Sequence, residues 1–278
     1  MNKIKIAIQG VAGSFHEQAT CTYFNSNDLN IVYCDSFDQL FKQVSKKNHL
    51  GVVAIENTVA GSILPNYRSL QENNFNIIGE TYMRIEQHLM TLPGQKIEKI
   101  KEIWSHPMAL RQCQTFLNNH PNIKSVEKED TAKSAAIIRE NKRTNIAAIA
   151  SEMAAKIYNL EIIERGIETN KKNFTRFLII SSDQEIINPD ANKASICFTI
   201  DHSTGSLAKV LTFLSKRNLN LTKIQSNPRL GKEWEYFFYV DLIFNDMGTY
   251  LKAMDELKPM VSELVLLGTY KDGIKNKL

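Results

Sequence analysis

The apolar run Val52-Val53-Ala54-Ile55, followed at once by the polar loop Glu56-Asn57-Thr58-Val59-Ala60-Gly61-Ser62, is the stretch that decides the fold. A short, wholly apolar strand is typical of a sheet that is buried on both faces. Such sheets belong to α/β proteins, in which strands alternate with helices and ligands bind where strands end and helices begin. The stretch therefore predicts an α/β fold with a polar loop at the end of a buried strand.

The same alternation of strand and helix continues on both sides of this stretch. Further strands are predicted at 3–8, 30–34, 102–105, 122–126 and 145–150. Helix starts are indicated by a capping box at Ser36 and Gln39, by Pro107 in a first turn, and by Thr131. The pattern predicts an α/β region with largely parallel sheets over residues 1–181.

A different pattern follows residue 181. The polar stretch 182–193 carries Pro189 and has no periodicity, which predicts a linker. Beyond it, strands are predicted at 194–201, 219–225, 234–244 and 262–270, and helices at 205–217 and 247–257. This βαββαβ order predicts a small α+β domain of the ferredoxin-like kind over residues 194–272.

Composition narrows the class of protein. The 278 residues include 43% hydrophobic and 23% charged residues, values typical of globular proteins, and a net charge of +4 is too small to indicate nucleic-acid binding. No run approaches the ~18 apolar residues of a membrane span, and the first residues leave no room for a secretion signal. The four cysteines are scattered, which predicts reduced thiols in the cytoplasm, and the six histidines lack metal-binding spacing.

Small polar residues cluster just after predicted strands and just before predicted helices. They lie at 10–14, 56–62, 105–107 and 131. Each is explained by helix capping when taken alone, but together they favour a pocket for an anionic small molecule. Thr175 and Arg176 add a hydroxyl beside a guanidinium at the start of the strand 178–180. They could pair a proton donor with a carboxylate ligand, or simply be satisfied structural residues.

These residues resemble the prephenate dehydratase family along nearly the whole chain. The resemblance is carried by the glycine motif of residues 10–15, the loop 56–62, Ser105-His106-Pro107 with Gln112-Cys113, Thr131 with Ala135-Ala136, and above all Asn173-x-Thr175-Arg176-Phe177. Residues 194–272 resemble the ACT regulatory domain. There Gly205-Ser206-Leu207 stands for the family's G-A-L, and Gln225-Ser226-Asn227-Pro228 for its E-S-R-P.

Some positions depart from the family pattern. Thr58 replaces a serine but keeps its hydroxyl, and Thr169 stands where many members carry an aspartate. Gln225 and Asn227 replace the two charged residues of E-S-R-P, which predicts altered coupling to an effector. No chorismate mutase helix precedes residue 1, which predicts a monofunctional chain.

The resemblance implies a two-lobed catalytic region like that of periplasmic binding proteins, spanning residues 1–181 with a second lobe at about 81–159. It implies conversion of prephenate to phenylpyruvate in L-phenylalanine biosynthesis by a hydro-lyase that uses no cofactor and no metal. Thr175 is then the predicted proton donor. The implied substrate-binding residues are Asn57, Thr58, Gly61, Ser62, Ser105, Thr131, Asn173, Arg176 and Phe177.

The resemblance also implies regulation and assembly. L-phenylalanine is expected as an allosteric effector, in a protein that is a homodimer or homotetramer. The implied effector-binding residues are Gly205, Ser206, Leu207, Gln225 and Ser226. Two alternatives stay open: arogenate dehydratase, or a non-catalytic two-lobed binding module that carries an amino-acid sensor. The residues Asn173, Thr175 and Arg176 argue against the second alternative, since a sensor needs no proton donor.

Overall fold

The computed structural model describes residues 4–46, 48–184 and 188–273. In chain order the elements within these ranges are β1 (Lys5–Gln9), α1 (Phe15–Phe24), β2 (Asn30–Cys34), α2 (Phe37–Val44), β3 (His49–Asn57), β4 (Gly61–Ser62), α3 (Leu64–Glu72), β5 (Asn76–Arg84), β6 (His88–Thr91), β7 (Glu102–Ser105), α4 (Pro107–Gln112), α5 (Gln114–Asn118), β8 (Lys124–Glu127), α6 (Thr131–Glu140), β9 (Ile146–Ala150), α7 (Glu152–Ile157), β10 (Glu161–Glu164), β11 (Phe174–Ser181), β12 (Lys193–Thr199), α8 (Ser206–Lys216), β13 (Asn220–Pro228), β14 (Tyr236–Ile243), α9 (Met247–Leu257) and β15 (Glu263–Tyr270).

The first sheet is built around the apolar stretch that predicted it. Its strands follow the order β2-β1-β3-β11-β5, with the short β4 paired to the end of β3. β1 runs parallel to both β2 and β3. Val52, Val53 and Ile55 are fully buried in β3. Their burial on both faces of the strand explains the uninterrupted apolar run.

The second sheet is mixed rather than largely parallel. Its order is β10-β6-β9-β7-β8. β7 is parallel to β8 and β9, whereas β6 is antiparallel to both β9 and β10. The expectation of largely parallel pairing was wrong here, because β6 and β10 were not recognised in the sequence. Both are only four residues long and lack clear alternation.

The carboxyl-terminal sheet has the predicted βαββαβ order. Its strands lie in the order β13-β14-β12-β15, and β14 pairs antiparallel with β13 and β12, as β12 does with β15. Ala194, Ile196 and Phe198 alternate along β12 and enter one core with residues of α8 and α9. One face of this sheet is therefore covered by its helices, which confirms the ferredoxin-like prediction.

Helix starts follow the predicted caps with two adjustments. Ser36 accepts from the amide of Gln39 at 3.2 Å, but the Gln39 side chain accepts from Asp35 rather than from Ser36. Thr131 is the first residue of α6, and the side chain that caps the helix is that of Asp130, which accepts from Lys133 N. An aspartate at this position satisfies a free amide and also favours the positive end of the helix dipole.

The chain divides into two compact units. Residues 4–46, 48–63 and 81–177 form the first, and residues 64–80, 178–184 and 188–273 form the second. The predicted boundaries at 181/182 and 193/194, and the second lobe at 81–159, stay predictions. The linker prediction also includes residues 185–187, which lie outside the described part of the chain. Among the described residues, no helix combines the length and apolarity needed to cross a membrane.

Candidate active site

Asn57, the last residue of β3, is held by four hydrogen bonds within the first unit. Its amide nitrogen donates to Asn173 Oδ1 at 2.7 Å and to Thr175 Oγ1 at 3.0 Å. Its side-chain oxygen accepts from the backbone amides of Val59 and Ala60 at 2.9 and 2.8 Å. This use of both donors and both acceptor positions fixes the orientation of the amide group.

Asn173 and Thr175 lie on the same face of the chain around the start of β11. Residues two apart on a strand point the same way, and the shared Asn57 amide confirms this arrangement. Because Thr175 Oγ1 accepts from Asn57, its own hydroxyl proton is directed to another acceptor. Asn173 is only 1% exposed, yet its Nδ2 has no hydrogen-bond partner among the described residues.

A small cavity of about 240 Å³ lies beside Asn173. Side chains from the loop after β3, from the junction of α4 and α5, and from the segment before β11 surround it. The lining residues are Val59, Arg111, Gln112, Gln114, Thr115, Thr169, Asn170 and Asn173. We call this space the Asn173 cavity. Most of its side chains are neutral hydrogen-bonding groups, and they suit a polar small molecule.

The segment before β11 is tied to the helical side of this cavity. Thr169 Oγ1 donates to Thr115 Oγ1 at 3.1 Å and accepts from the Thr115 amide at 3.2 Å. The Thr169 amide donates to Gln112 O at 2.8 Å. Thr169 therefore holds this segment in place with its hydroxyl and amide, without the carboxylate that many family members carry there.

Arg176 points away from Thr175, because successive side chains of a strand alternate between its faces. Its guanidinium lies 3.6 Å from Glu56 Oε1 and 5.9 Å from the centroid of the Tyr82 ring. Arg176 is 3% exposed. A second cavity, of about 260 Å³, lies on this side and is lined by Glu56, Asn57, Thr58, Gly61, Ser62, Tyr82, Phe174 and Arg176. Of the predicted site residues, Asn173 lines the first cavity, whereas the second is lined by Asn57, Thr58, Gly61, Ser62 and Arg176; Thr175 is not among the described residues that line either one.

Thr58 anchors the loop after β3 to the start of β11. Its hydroxyl donates to Lys172 O at 2.8 Å and accepts from the Phe174 amide at 2.9 Å. The Thr58 amide also donates to Phe174 O. These contacts place Asn57 against Thr175, and they require a hydroxyl that either serine or threonine supplies.

Other predicted substrate-binding residues lie elsewhere in the first unit. Ser105 is fully buried, and its hydroxyl donates to Ile149 O at 2.6 Å, which links β7 to β9. Thr131 is half-buried at the start of α6. Neither residue lines the two cavities beside β11.

Phe177 packs into the first unit beside a histidine. Its ring meets the His16 ring edge-on at 5.1 Å, and Phe177 is 1% exposed. His16 Nε2 accepts from the Ala54 amide at 3.3 Å. Burial lowers the pKa of His16 to about 4, because the charged imidazolium would be removed from water. His16 is therefore neutral at physiological pH, with its proton on Nδ1.

The glycine-rich loop 10–14 serves close packing. A Cβ on Gly13, whose φ is +83°, would lie 2.6 Å from Ala154 Cα, a distance that no side chain tolerates. Ser151 Oγ donates to Gly13 O, and the Gly13 amide donates to Glu17 Oε2 at 2.6 Å. Since Glu17 already occupies this amide, the loop does not offer it to a ligand.

The loop 105–107 and the start of α6 share a third cavity, of about 610 Å³. Its lining includes His106, Glu127, Lys128, Asp130 and Lys133. The charges around this cavity are mixed, and Lys133 pairs with Glu129 at 2.8 Å. Loop 105–107 and the start of α6 thus line one cavity, and residues of the loop 56–62 line another. One anion pocket shared by all four loops stays a prediction.

The predicted effector residues lie in the carboxyl-terminal sheet and its first helix. Gly205, Ser206 and Leu207 line a cavity of about 430 Å³ together with Trp234, Tyr236 and Phe238. Ser226 lies directly opposite Phe238 in the β13–β14 pairing. Because opposite residues share a face of the sheet, Ser226 lies on the face of this cavity.

Gln225 lies on the other face of the same sheet. It stands opposite Tyr239, whose hydroxyl donates to Gln71 Oε1 at 2.8 Å in α3. Tyr239 also packs against Tyr67, with ring centroids 5.1 Å apart. The two predicted effector residues of β13 thus meet different surroundings within the second unit.

Sequence reasoning missed several side chains of these cavities. Arg111 follows Pro107 by four positions within α4, whereas Thr115 lies in α5, after the break between the two helices at Cys113. Tyr82 lies in β5, which was not predicted. Helical spacing after a recognised helix start was the available signal for Arg111.

The arrangement has a counterpart in a known family. A family model described as prephenate dehydratase matches residues 6–185. This chain belongs to the prephenate dehydratase family. Membership confirms the predicted reaction class, the dehydration of prephenate by a hydro-lyase in L-phenylalanine biosynthesis. A prephenate dehydratase of Methanocaldococcus jannaschii is 35% identical over 266 residues, which cover 93% of this chain and 94% of that protein.

Solved structures support the family fold over nearly the whole chain. The structure of a prephenate dehydratase from Arthrobacter aurescens in complex with L-Phe has a TM-score of 0.86 and 25% identity, covering 96% of this chain and 90% of that one. A structure described as a quorum quenching acylase also has a TM-score of 0.86, with 28% identity, covering 96% of this chain and 98% of that one. The predicted fold class, with two α/β lobes and a carboxyl-terminal ACT-like sheet, is confirmed.

Proposed function

We propose that prephenate binds in the Asn173 cavity and is converted there to phenylpyruvate, with Thr175 as the proton donor or relay. The observation that carries this proposal is the Asn57 amide, which donates to Thr175 Oγ1 and to Asn173 Oδ1. This amide joins the motif Asn173-x-Thr175-Arg176-Phe177 to the loop after β3. The cavity beside Asn173, of about 240 Å³, is slightly smaller than the usual range for small-molecule sites, which begins at about 300 Å³.

The reaction requires one proton and no other reagent. The bond between the ring and its carboxylate breaks, carbon dioxide leaves, and the released electron pair completes the aromatic ring. The ring C–O bond breaks at the same time, and the departing hydroxyl takes a proton and leaves as water. The protein must therefore align both breaking bonds and place a proton beside the leaving oxygen.

Thr175 is a weak acid in water, and Asn57 compensates for this weakness. As the threonine proton moves to the leaving hydroxyl, negative charge develops on Oγ1. The Asn57 N–H already points at that oxygen, and its four hydrogen bonds prevent it from turning away. A donor that is oriented before the reaction stabilises such charge at little reorganisation cost. We assign Asn57 as a stabiliser of charge on Thr175.

Asn173 is proposed to contact the substrate. Its Nδ2 is buried without an acceptor, which costs about 1–3 kcal/mol in the free protein. A carboxylate or hydroxyl oxygen of the substrate would satisfy this donor. Buried unsatisfied groups of this kind are often found at functional sites, where a ligand completes them.

Arg176 is proposed to position the loop after β3. It lies on the face of β11 opposite Thr175, and Glu56 at 3.6 Å balances its charge. Thr58, Gly61 and Ser62 line the cavity on this side. A direct role of these residues, or of Ser105, Thr131 and Phe177, in binding substrate stays a prediction.

The activity can be tested by the ultraviolet absorbance of phenylpyruvate formed from prephenate by the purified protein. Parallel assays with arogenate decide between the two dehydratase activities. Phenylpyruvate formation from prephenate supports the proposal. Absence of turnover with both substrates would support the non-catalytic binding module instead.

We also propose that L-phenylalanine binds the cavity formed by Gly205, Ser206 and Leu207. The prephenate dehydratase of Arthrobacter aurescens was solved with L-Phe, and the cavity here combines a helix start with three aromatic side chains. A helix start favours a carboxylate, and aromatic side chains favour a phenyl ring. Calorimetric titration tests binding, and initial rates in its presence test inhibition.

A homodimer or homotetramer is proposed on the basis of the sheet edge. β13 is an edge strand of the carboxyl-terminal sheet, and Ile224 on it is 45% exposed. Such an edge offers backbone hydrogen bonds to a second copy. We further propose a cytoplasmic location, which is consistent with four cysteines that are all free thiols. Light scattering of the purified protein tests the assembly.

A further inference from the structure

Arg111 brings a positive charge to the Asn173 cavity. It lies in α4, one position before the last residue of that helix, and it is exposed. Among the described residues that line the cavity, Arg111 is the one charged side chain. Its guanidinium forms no ion pair with any residue of the described ranges 4–46, 48–184 and 188–273. The charge is therefore available to a ligand that enters the cavity.

The other side chains that line the cavity carry no charge to offset that of Arg111. Thr115 lies in α5, after the break at Cys113, and lines the same cavity. Thr115 bonds to the neutral Thr169, and Gln112 and Asn170 are also uncharged. An aspartate at position 169 would bring a carboxylate to the cavity that Arg111 lines, but this chain has a hydroxyl there.

A second observation at the same cavity points independently to a ligand that brings an acceptor oxygen. Asn173 is 1% exposed, and its Nδ2 donor lacks an acceptor among the described residues. The buried Asn173 donor lacks an acceptor oxygen, and the exposed guanidinium of Arg111 can exchange water for one. A carboxylate can satisfy both kinds of donor.

We propose that Arg111 determines substrate specificity by favouring a side chain that carries a carboxylate and a ketone over one that carries a carboxylate and an ammonium group. This inference rests on the proposed function and addresses the choice between prephenate and arogenate. Prephenate brings two negative charges and no positive one. Arogenate adds an ammonium group, which the unpaired guanidinium of Arg111 repels and which finds no carboxylate on the described lining.

The contrast with Arg176 supports the assignment to Arg111. Arg176 is buried and has Glu56 3.6 Å away, and it lies on the other face of β11. Its charge is balanced before any substrate arrives. Of these two guanidinium groups, only that of Arg111 lines the Asn173 cavity.

The test measures kcat/KM for prephenate and for arogenate on the wild-type protein and on three variants of Arg111. Arg111→Lys keeps the charge, Arg111→Gln removes it, and Arg111→Glu reverses it. Arg143→Gln is the matched control, because Arg143 is an exposed arginine that does not line the cavity. A charge a few ångströms from the substrate near a protein surface alters the preference by on the order of tenfold.

The expected result is a graded change in the ratio of the two kcat/KM values. Arg111→Gln should lower the preference for prephenate about tenfold, mainly by raising its KM, and Arg111→Glu should lower it further. Arg111→Lys and Arg143→Gln should keep the wild-type ratio within a factor of about three. The difference between wild type and Arg111→Gln should shrink as salt is added, because exposed charges are screened.

The inference is overturned if Arg111→Gln changes kcat/KM for both substrates equally, or leaves both unchanged. It is also overturned if Arg111→Glu keeps the wild-type ratio. These outcomes leave the proposed function intact, provided that the wild-type protein forms phenylpyruvate. A wild-type protein that turns over neither substrate contradicts the proposed function itself. Thr169→Asp gives an independent check, since the added carboxylate should shift the ratio toward arogenate.

Discussion

Asn57 and Thr175, which are 118 positions apart in the chain, are joined by a hydrogen bond of 3.0 Å from the asparagine amide to the threonine hydroxyl oxygen. The direction of this bond matters for the chemistry. Asn57 gives a hydrogen to Oγ1 and leaves the threonine proton free for another acceptor. A threonine in this setting can release its proton more readily than one in water, because the resulting charge has a donor in place.

Replacing Asn57 by aspartate tests this relationship with a minimal change of shape. The carboxylate can still accept from the Val59 and Ala60 amides, which keeps the loop in place. It cannot donate to Thr175, and it competes for the threonine proton. We expect kcat to fall on the order of a hundredfold or more. Steady-state kinetics with prephenate measures the loss.

The control for this change is Asn30→Asp, the same substitution at an exposed position that begins β2. It should leave kcat within a factor of about two. A kcat of Asn57→Asp close to that of the control would contradict the role of the Asn57 amide.

Arg176→Met tests whether this arginine positions the loop or holds the substrate. Loss of the guanidinium removes the partner 3.6 Å from Glu56, whose side chain is 30% exposed. We expect the free energy of unfolding to fall by about 1–3 kcal/mol. The KM for prephenate should stay within a factor of about three, because Arg176 lies on the face opposite Thr175. Chemical denaturation and steady-state kinetics measure the two effects.

A double-mutant cycle with Glu56→Gln separates the pair from other contacts of either residue. Coupling between the two substitutions is expected in the free energy of unfolding. A tenfold rise in KM for Arg176→Met with unchanged stability would instead support the role in substrate binding that the sequence predicted.

His16 should make the stability of the protein depend on pH in the acidic range. Burial lowers its pKa to about 4 in the folded protein, from about 6.5 when unfolded. Between these values the unfolded chain binds a proton that the folded chain does not. The free energy of unfolding should therefore be unaffected by His16 above pH 6.5 and should decrease by up to about 3 kcal/mol as the pH falls to 4.

The measurement is urea denaturation at several pH values for wild type and for His16→Gln. Carboxylates titrate in both proteins, and the difference between the two curves isolates the imidazole. The difference should diminish as the pH falls from 6.5 to 4. Two curves that stay parallel over this range would show that His16 does not contribute.

Gly205→Trp tests the proposed site for L-phenylalanine. Gly205 has φ +84° and lines the cavity of the carboxyl-terminal sheet, and a large side chain there should occupy the space of the effector. We expect calorimetric binding of L-phenylalanine to be lost while phenylpyruvate formation in its absence is retained. Gly94→Trp is the matched control, since Gly94 has φ +81° and equally open space in the other unit.

Binding of L-phenylalanine to wild type without inhibition would mean that the effector site and the active site are not coupled. An effector shifts an equilibrium only through its different affinity for the two states. Unchanged binding in Gly205→Trp would place the effector elsewhere.

Local patterns were sufficient to predict most elements. Helix α9 was predicted at 247–257 and occupies those residues, because an aspartate cap and a regular apolar face define it. The βαββαβ order was likewise readable from periodicity. The strands β5 and β6 were missed, since their residues do not alternate and β6 is buried throughout. Their pairing depends on residues far away in the chain, which no local window contains.

The sequence motif also did not predict that Asn173 and Arg176 line different cavities. Asn173, Thr175 and Arg176 are close in sequence, and the motif suggested one shared pocket. Strand geometry separates Arg176 from the other two. Arg111 and Thr169 meet the same cavity only because α4 and the segment before β11 come together in the fold. Sequence patterns identify such residues singly but do not show which of them share a cavity.

The most direct test of the account is the rate of phenylpyruvate formation from prephenate by wild type, Thr175→Ser and Thr175→Ala at saturating substrate. Serine keeps the hydroxyl, and alanine removes it. We predict that Thr175→Ser retains a kcat within about tenfold of wild type, whereas Thr175→Ala loses on the order of a hundredfold or more with a correctly folded protein. A Thr175→Ala protein with a kcat near that of wild type would contradict the claim that this hydroxyl delivers the proton.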